Sequence, residues 1–165
     1  MGLLSWAEKA ALENIRFHLQ IADSLAREAA TTLTLLLAGI GGTVAHVVRG
    51  VDSNAISDTT IASLVLAIYL TVLAIVLIFK CMKIEAIPAP TNEPKNLYQP
   101  EFELDELKKA ELDNMQVRIE QIVYRNENTT GWLNEVRLFA AFSPVVWGAV
   151  GFLLPRLVDL AKAAG

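Results

Sequence analysis

The sequence predicts an all-α integral membrane protein with three transmembrane helices, the first and third carrying long cytoplasmic helical extensions. Three observations predict it. Of 165 residues 53% are apolar, yet Asp, Glu, Lys and Arg are missing from three stretches, 29–48, 61–79 and 138–155. The charged residues concentrate between those stretches. The segments leading into the first and third stretches repeat apolar residues at alternating steps of three and four, the period of a helix with one packed face. No convincing strand pattern accompanies them, and the length suits one domain or one small bundle.

A helix rises about 1.5 Å per residue and the hydrocarbon core is about 30 Å thick, so about 20 apolar residues cross it. Stretches 29–48 and 61–79 meet that length. Stretch 61–79 is apolar all round, whereas a helix of a water-soluble core keeps a polar face. Stretch 29–48 carries Thr31, Thr32 and Thr34. Stretch 138–155 is at the lower limit and borrows turns from its flanks, the alternative being a re-entrant or interfacial helix. A polar helical segment, 1–28, precedes the first span, and it lacks the basic start and short apolar core of a cleavable signal.

Lys and Arg set the expected orientation. Lys9, Arg16 and Arg27 precede the first span, and Arg49 alone occupies the loop 49–60. Lys80, Lys83, Lys95, Lys108, Lys109, Arg118, Arg125 and Arg137 fill the long segment between the second and third spans, and Arg156 and Lys162 follow the third. The N-terminus and the long segment are therefore expected in the cytoplasm. The loop 49–60 and the tail 156–165 are expected outside.

Ser5 and Glu8 have the spacing of a capping box and predict the start of the first helix. Its apolar stripe reads Leu12, Ile15, Leu19, Ala22, Ala26, Ala29, Leu33, Leu36 and Ile40. No Gly or Pro lies between Trp6 and Ala38, so one continuous helix is expected. Ser57 or Asp58 can cap the second span. Pro88, Pro90, Pro94 and Pro100 make 80–100 an extended linker, since proline lacks an amide donor and fixes φ. A coiled-coil-like helix over 101–137 follows, its acidic Glu103, Asp105 and Glu106 suited to the helix start. Its cytoplasmic seam reads Leu112, Met115, Ile119, Ile122, Asn126, Thr129 and Leu133, and continues through Val136 and Ala140 into the third span. A polar residue such as Asn126 at a seam position commonly fixes register or oligomer state. The chain is expected to form a homo-oligomer whose contacts include this seam.

Within the spans, Gly39, Gly41, Gly42, Gly148 and Gly151 are candidates for helix packing or gating, because small residues allow close backbone approach in lipid. Pro144 is a candidate hinge. His46 reads as an interfacial residue or, alternatively, a proton-sensing one. Asn128-Thr129-Thr130 matches a glycosylation acceptor, which has no meaning on a cytoplasmic helix. Two histidines, the single Cys81 and no clustered ligand spacing predict no metal site, no cofactor and no enzyme active site. A net charge of −4 argues against a nucleic-acid polymer as partner. The lipid bilayer is the expected partner.

The order of elements resembles a known family. The run His18-Leu-Gln-Ile-Ala-Asp-Ser-Leu-Ala26 ahead of an apolar span, the linker with Asn96-Leu-Tyr98, and a final span after Glu127-Asn128 resemble the transmembrane effectors of the Pycsar antiphage systems. Nearly the whole chain is covered, and Leu25 stands where the family often has Lys. The resemblance implies a multi-pass protein of the bacterial inner membrane that disrupts membrane integrity when a cyclic nucleotide signals infection. It specifies no binding residue. Arg118, Arg125 and Arg137 are the arginines that could meet a phosphate, each also explained as a solvated or interfacial charge. The alternatives are an oligomeric membrane scaffold or interaction subunit, and a holin-like lysis protein.

Overall fold

The computed structural model describes residues 2–53, 57–83 and 88–163; parts of the expected outer loop (54–56), linker (84–87) and tail (164–165) lie outside the described residues. The chain is all-helical, with no strand among the described residues. Five helices follow in order: α1 Leu3–Asp52, α2 Asp58–Cys81, α3 Pro94–Leu97, α4 Leu104–Ala141 and α5 Ser143–Ala163. Two of them, α1 and α2, are long and apolar enough to cross a membrane. The count is three if α4 and the first part of α5, bent by 40° at their break, make one span.

The helix ends refine the sequence reading. α1 begins at Leu3, with the Trp6 amide donating to the Gly2 carbonyl, so Ser5 lies inside the helix and not at its cap. Ser57 caps α2 by accepting from the Thr60 amide, and the Ser57 amide in turn donates to the Thr60 hydroxyl. The linker is not wholly extended: α3 is one helical turn with Pro94 at its first position, where a helix needs no amide donor. α4 starts after Glu103, whose carbonyl accepts from the amides of Glu106 and Leu107.

The residues divide into two compact units, Met1–Arg27 with Ile84–Gly131 and Glu28–Lys83 with Trp132–Gly165. In the first unit the seam of α4 closes on the stripe of α1. Ile15, Met115 and Ile122 are buried, flanked by Ala11, Leu12, Leu19 and Ile119. Buried Asn126 donates from Nδ2 to the His18 carbonyl at 2.9 Å, which sets the register between the two helices. The expected seam is thus present, but it is consumed inside one chain.

A polar clamp holds the linker to the same unit. The buried Glu111 carboxylate accepts from the Asn92 amide and side chain, each at 3.2 Å, and from Arg118 Nη1 at 3.0 Å. Arg118 also donates to the Pro90 carbonyl at 3.4 Å. Removing one partner of a buried pair strands the other, at about 3–5 kcal/mol. Glu111→Ala is therefore expected to free the 88–100 segment, and limited proteolysis of the purified protein should cut there much faster than in the wild type.

In the second unit α5 packs along α2. Ser63 meets Trp147 of α5, while Tyr69 meets the Phe139 carbonyl and Lys80 lies over the Trp132 ring, both at the end of α4, so α2 runs antiparallel to the end of α4 and the start of α5. The stripe of α1 runs differently from its expected course here. Thr32 is buried and Leu33 only half-buried, and lower down Leu25 is half-buried while Ala26 is exposed. The true repeat passes through Leu25, Ala29, Thr32 and Leu36. Thr32 fits it because its hydroxyl donates to the Glu28 carbonyl one turn back, at 2.8 Å.

Large apolar side chains cover the outside of this second unit: Leu35, Leu37, Ile68, Val72, Phe79, Leu138, Val145 and Phe152 are all more than half exposed. A surface of that kind is stable against hydrocarbon and not against water. The first unit buries an apolar cluster together with Glu111 and Asn126, and much of its outside is charged.

Candidate functional site

The second unit contains a feature with the shape of a binding site. A cavity of about 760 Å³ opens between α1, α2 and the junction of α4 with α5. Thr31, Thr32, Leu35, Leu36, Gly39 and Thr43 of α1 form one wall, Leu66 and Leu70 of α2 another. Arg137, Ala140, Ser143, Pro144 and Trp147 form the third. Its lining is largely apolar, with a single charged side chain, Arg137.

The break between α4 and α5 shapes the third wall. It falls at Phe142, two residues before Pro144, which occupies the first turn of α5. Proline leaves the carbonyl four residues back without its usual donor. That carbonyl belongs to Ala140, and the Ser143 hydroxyl donates to it at 2.6 Å. The neighbouring Phe139 carbonyl accepts from the Phe142 amide at 3.0 Å and from the Tyr69 hydroxyl at 2.8 Å. Two hydroxyls thus satisfy backbone groups that a bilayer could not. Pro155 lies inside α5 without ending it.

Arg137 is held at the edge of the cavity. Its Nη1 donates to Glu28 Oε2 at 2.7 Å and its Nε to the Thr32 hydroxyl at 3.1 Å. Nη2 has only a 3.5 Å contact with the Glu28 carbonyl. Of the other two arginines expected as possible phosphate partners, Arg118 is spoken for by Glu111, whereas Arg125 has a buried Nη1 with no hydrogen-bond partner.

Comparison of the chain with family models, curated proteins and solved structures finds no match.

The glycines separate into two groups. A methyl group on Gly39 would come within 3.0 Å of Leu70 Cδ1, and one on Gly151 would sit 3.9 Å from Ala62 Cβ. Gly41, Gly42 and Gly148 have no described atom within 4 Å of such a group, so they face away from the chain's own helices. Gly50, which sequence reasoning passed over as a loop residue, is the tightest: an added Cβ would meet Thr60 Oγ1 at 2.6 Å. Seam residues Met115, Ile122, Asn126 and Leu133 are buried, Val136 likewise, and Leu112, Ile119 and Thr129 are partly so. The crevice itself was missed, because it exists only where three helices and a break meet. Among the described residues no group of three or more His, Cys, Asp or Glu could hold a metal.

Proposed function

We propose that this chain is a signal-responsive effector of the bacterial inner membrane, with the second unit in the bilayer and the first in the cytoplasm. The observation that carries the reading is the contrast in exterior chemistry: apolar residues clothe the second unit, charged residues much of the first. α1 and α4 each contribute residues to both units as single helices, which makes them the elements able to convey a change. The Lys and Arg distribution supports a cytoplasmic N-terminus. The resemblance to antiphage effectors supports a cyclic nucleotide as the signal, and the unpartnered Arg125 Nη1 is the donor best able to answer its phosphate. A ligand shifts such an equilibrium only by its differential affinity for the two arrangements.

The test is dye-reported membrane potential in bacteria expressing the chain, with and without cyclic pyrimidine and purine monophosphates. Depolarisation that needs one nucleotide, and is lost in Arg125→Ala while the protein stays in the membrane fraction, is the expected result. If the potential never changes under any condition, the effector reading fails. A scaffold reading then takes its place, favoured by exposed Val117 and Tyr124, seven residues apart on α4. Such a face would bind a second copy or another protein, and chemical cross-linking from a cysteine placed at Tyr124 would detect it.

A further inference from the structure

We infer that the crevice of the second unit seats one acyl chain of an anionic phospholipid, with the phosphate at Arg137. The inference rests on the reading that this unit lies in a bilayer. Its lining residues on α1 extend from Thr31 to Thr43, twelve residues and so about 18 Å of helix. That is an elongated slot, and its walls are hydrocarbon over most of its length. Water gains nothing in such a space, because it needs several polar partners. A lipid chain already at hand does fit.

The slot is chemically polarised. Arg137 is its only charged lining residue, and the Glu28 carboxylate that pairs with Arg137 is not part of the lining. The pairing occupies Nη1 and the Thr32 hydroxyl occupies Nε, which leaves Nη2 with its single long contact and with capacity for an oxyanion. Basic groups at the ends of membrane helices with an apolar recess between them are the chemistry that recognises phosphate-bearing headgroups. The hydroxyls of Thr32, Thr43 and Ser143 do not compete for the ligand as donors, since Thr32 and Thr43 donate to backbone carbonyls of their own helix and Ser143 donates to the Ala140 carbonyl at the end of α4.

The break in the third wall is what makes room. Ser143 and Pro144 line the crevice where α4 gives way to α5, and Ala140 presents only a methyl group to it. A larger side chain at Ala140 would project into the slot. Arg137 holds the ligand's charge, and the size of Ala140 admits its tail.

The full-length protein, reconstituted in vesicles of phosphatidylglycerol and phosphatidylcholine, is probed with spin-labelled forms of each lipid. Wild type should immobilise phosphatidylglycerol with about a fivefold preference over phosphatidylcholine, the effect of about one basic side chain near a headgroup. Arg137→Gln should abolish the preference and keep an immobilised neutral component; Arg137→Lys should retain the preference. Ala140→Phe should remove the immobilised component of both lipids. Absence of preference in the wild type, an unchanged preference in Arg137→Gln, or an unchanged signal in Ala140→Phe overturns the inference, as does occupation of the slot by a second copy, seen as loss of the lipid signal at high protein density. Carbonate extraction of cell membranes separates the two readings: a protein released as soluble removes the membrane reading, whereas a retained protein without lipid preference removes this one alone.

Discussion

Ile122→Asp is expected to unfold the first unit and leave the apolar helices in the membrane. Ile122 is 1% exposed at the centre of the cluster it forms with Ile15 and Met115. Removing such a side chain costs about 2–5 kcal/mol through lost burial and the residual cavity. A carboxylate placed there adds the cost of an unpaired buried charge. Small units are stable by only about 5–15 kcal/mol, so the sum is enough to lose the fold. Trypsin should then cut rapidly at Arg16, Arg118 and Arg125 in membrane vesicles, while the fragment over 28–83 stays protected. Protection of Arg118 and Arg125 equal to that of wild type would show that the seam does not hold this unit together. The same substitution is a test of folding and not of assembly, because the seam is buried within one chain.

The second large effect is expected at Gly50. A Cβ there lies 2.6 Å from Thr60 Oγ1 and 2.9 Å from Thr60 Cγ2, closer than real side-chain contacts allow. Thr60 cannot easily yield, since it is 5% exposed and closes the capping box of α2 with Ser57. Gly50→Ala therefore forces α1 and α2 apart or breaks the cap. Overpacking costs about 1–3 kcal/mol and cap loss about 0.5–2 kcal/mol more. Thermal unfolding of the detergent-solubilised protein should show a clear drop in midpoint. Gly42→Ala is the control, with no described atom within 4 Å of the added group, and should leave the midpoint unchanged or higher. Equal losses in the two variants would mean that the α1–α2 contact at Gly50 is not part of the folded state.

How much of this was legible beforehand depended on the kind of signal. The α4 seam could be read because Met115, Ile122, Leu133 and Val136 are large and apolar at a regular spacing, and each is buried. Of the α1 stripe Ile15, Ala29 and Leu36 are buried as expected, but Ala26 is exposed, and Thr32, passed over in favour of Leu33, is buried. Hydrophobic periodicity cannot register a buried threonine whose hydroxyl bonds its own helix. Pro144 announced a disturbance in the third apolar stretch but not its place, since α4 already ends at Ala141 and the proline sits in the first turn of α5.

By itself the sequence determined the helical class and the division between charged and apolar stretches, and narrowed the cap of α2 to Ser57 or Asp58, because each depends on local chemistry within a turn or two of chain. Tertiary structure alone decided which glycines touch a neighbour, that the α4 seam is spent inside one chain, that Glu111 clamps the linker through Asn92 and Arg118, and that a crevice opens beside Arg137. Those outcomes depend on distances between residues far apart in the chain, such as Thr32 with Arg137 and Gly50 with Thr60. A periodic pattern states which face of a helix is packed; it does not state against what. That second fact follows only when the helices meet, because close packing and the pairing of buried polar groups are properties of two surfaces together.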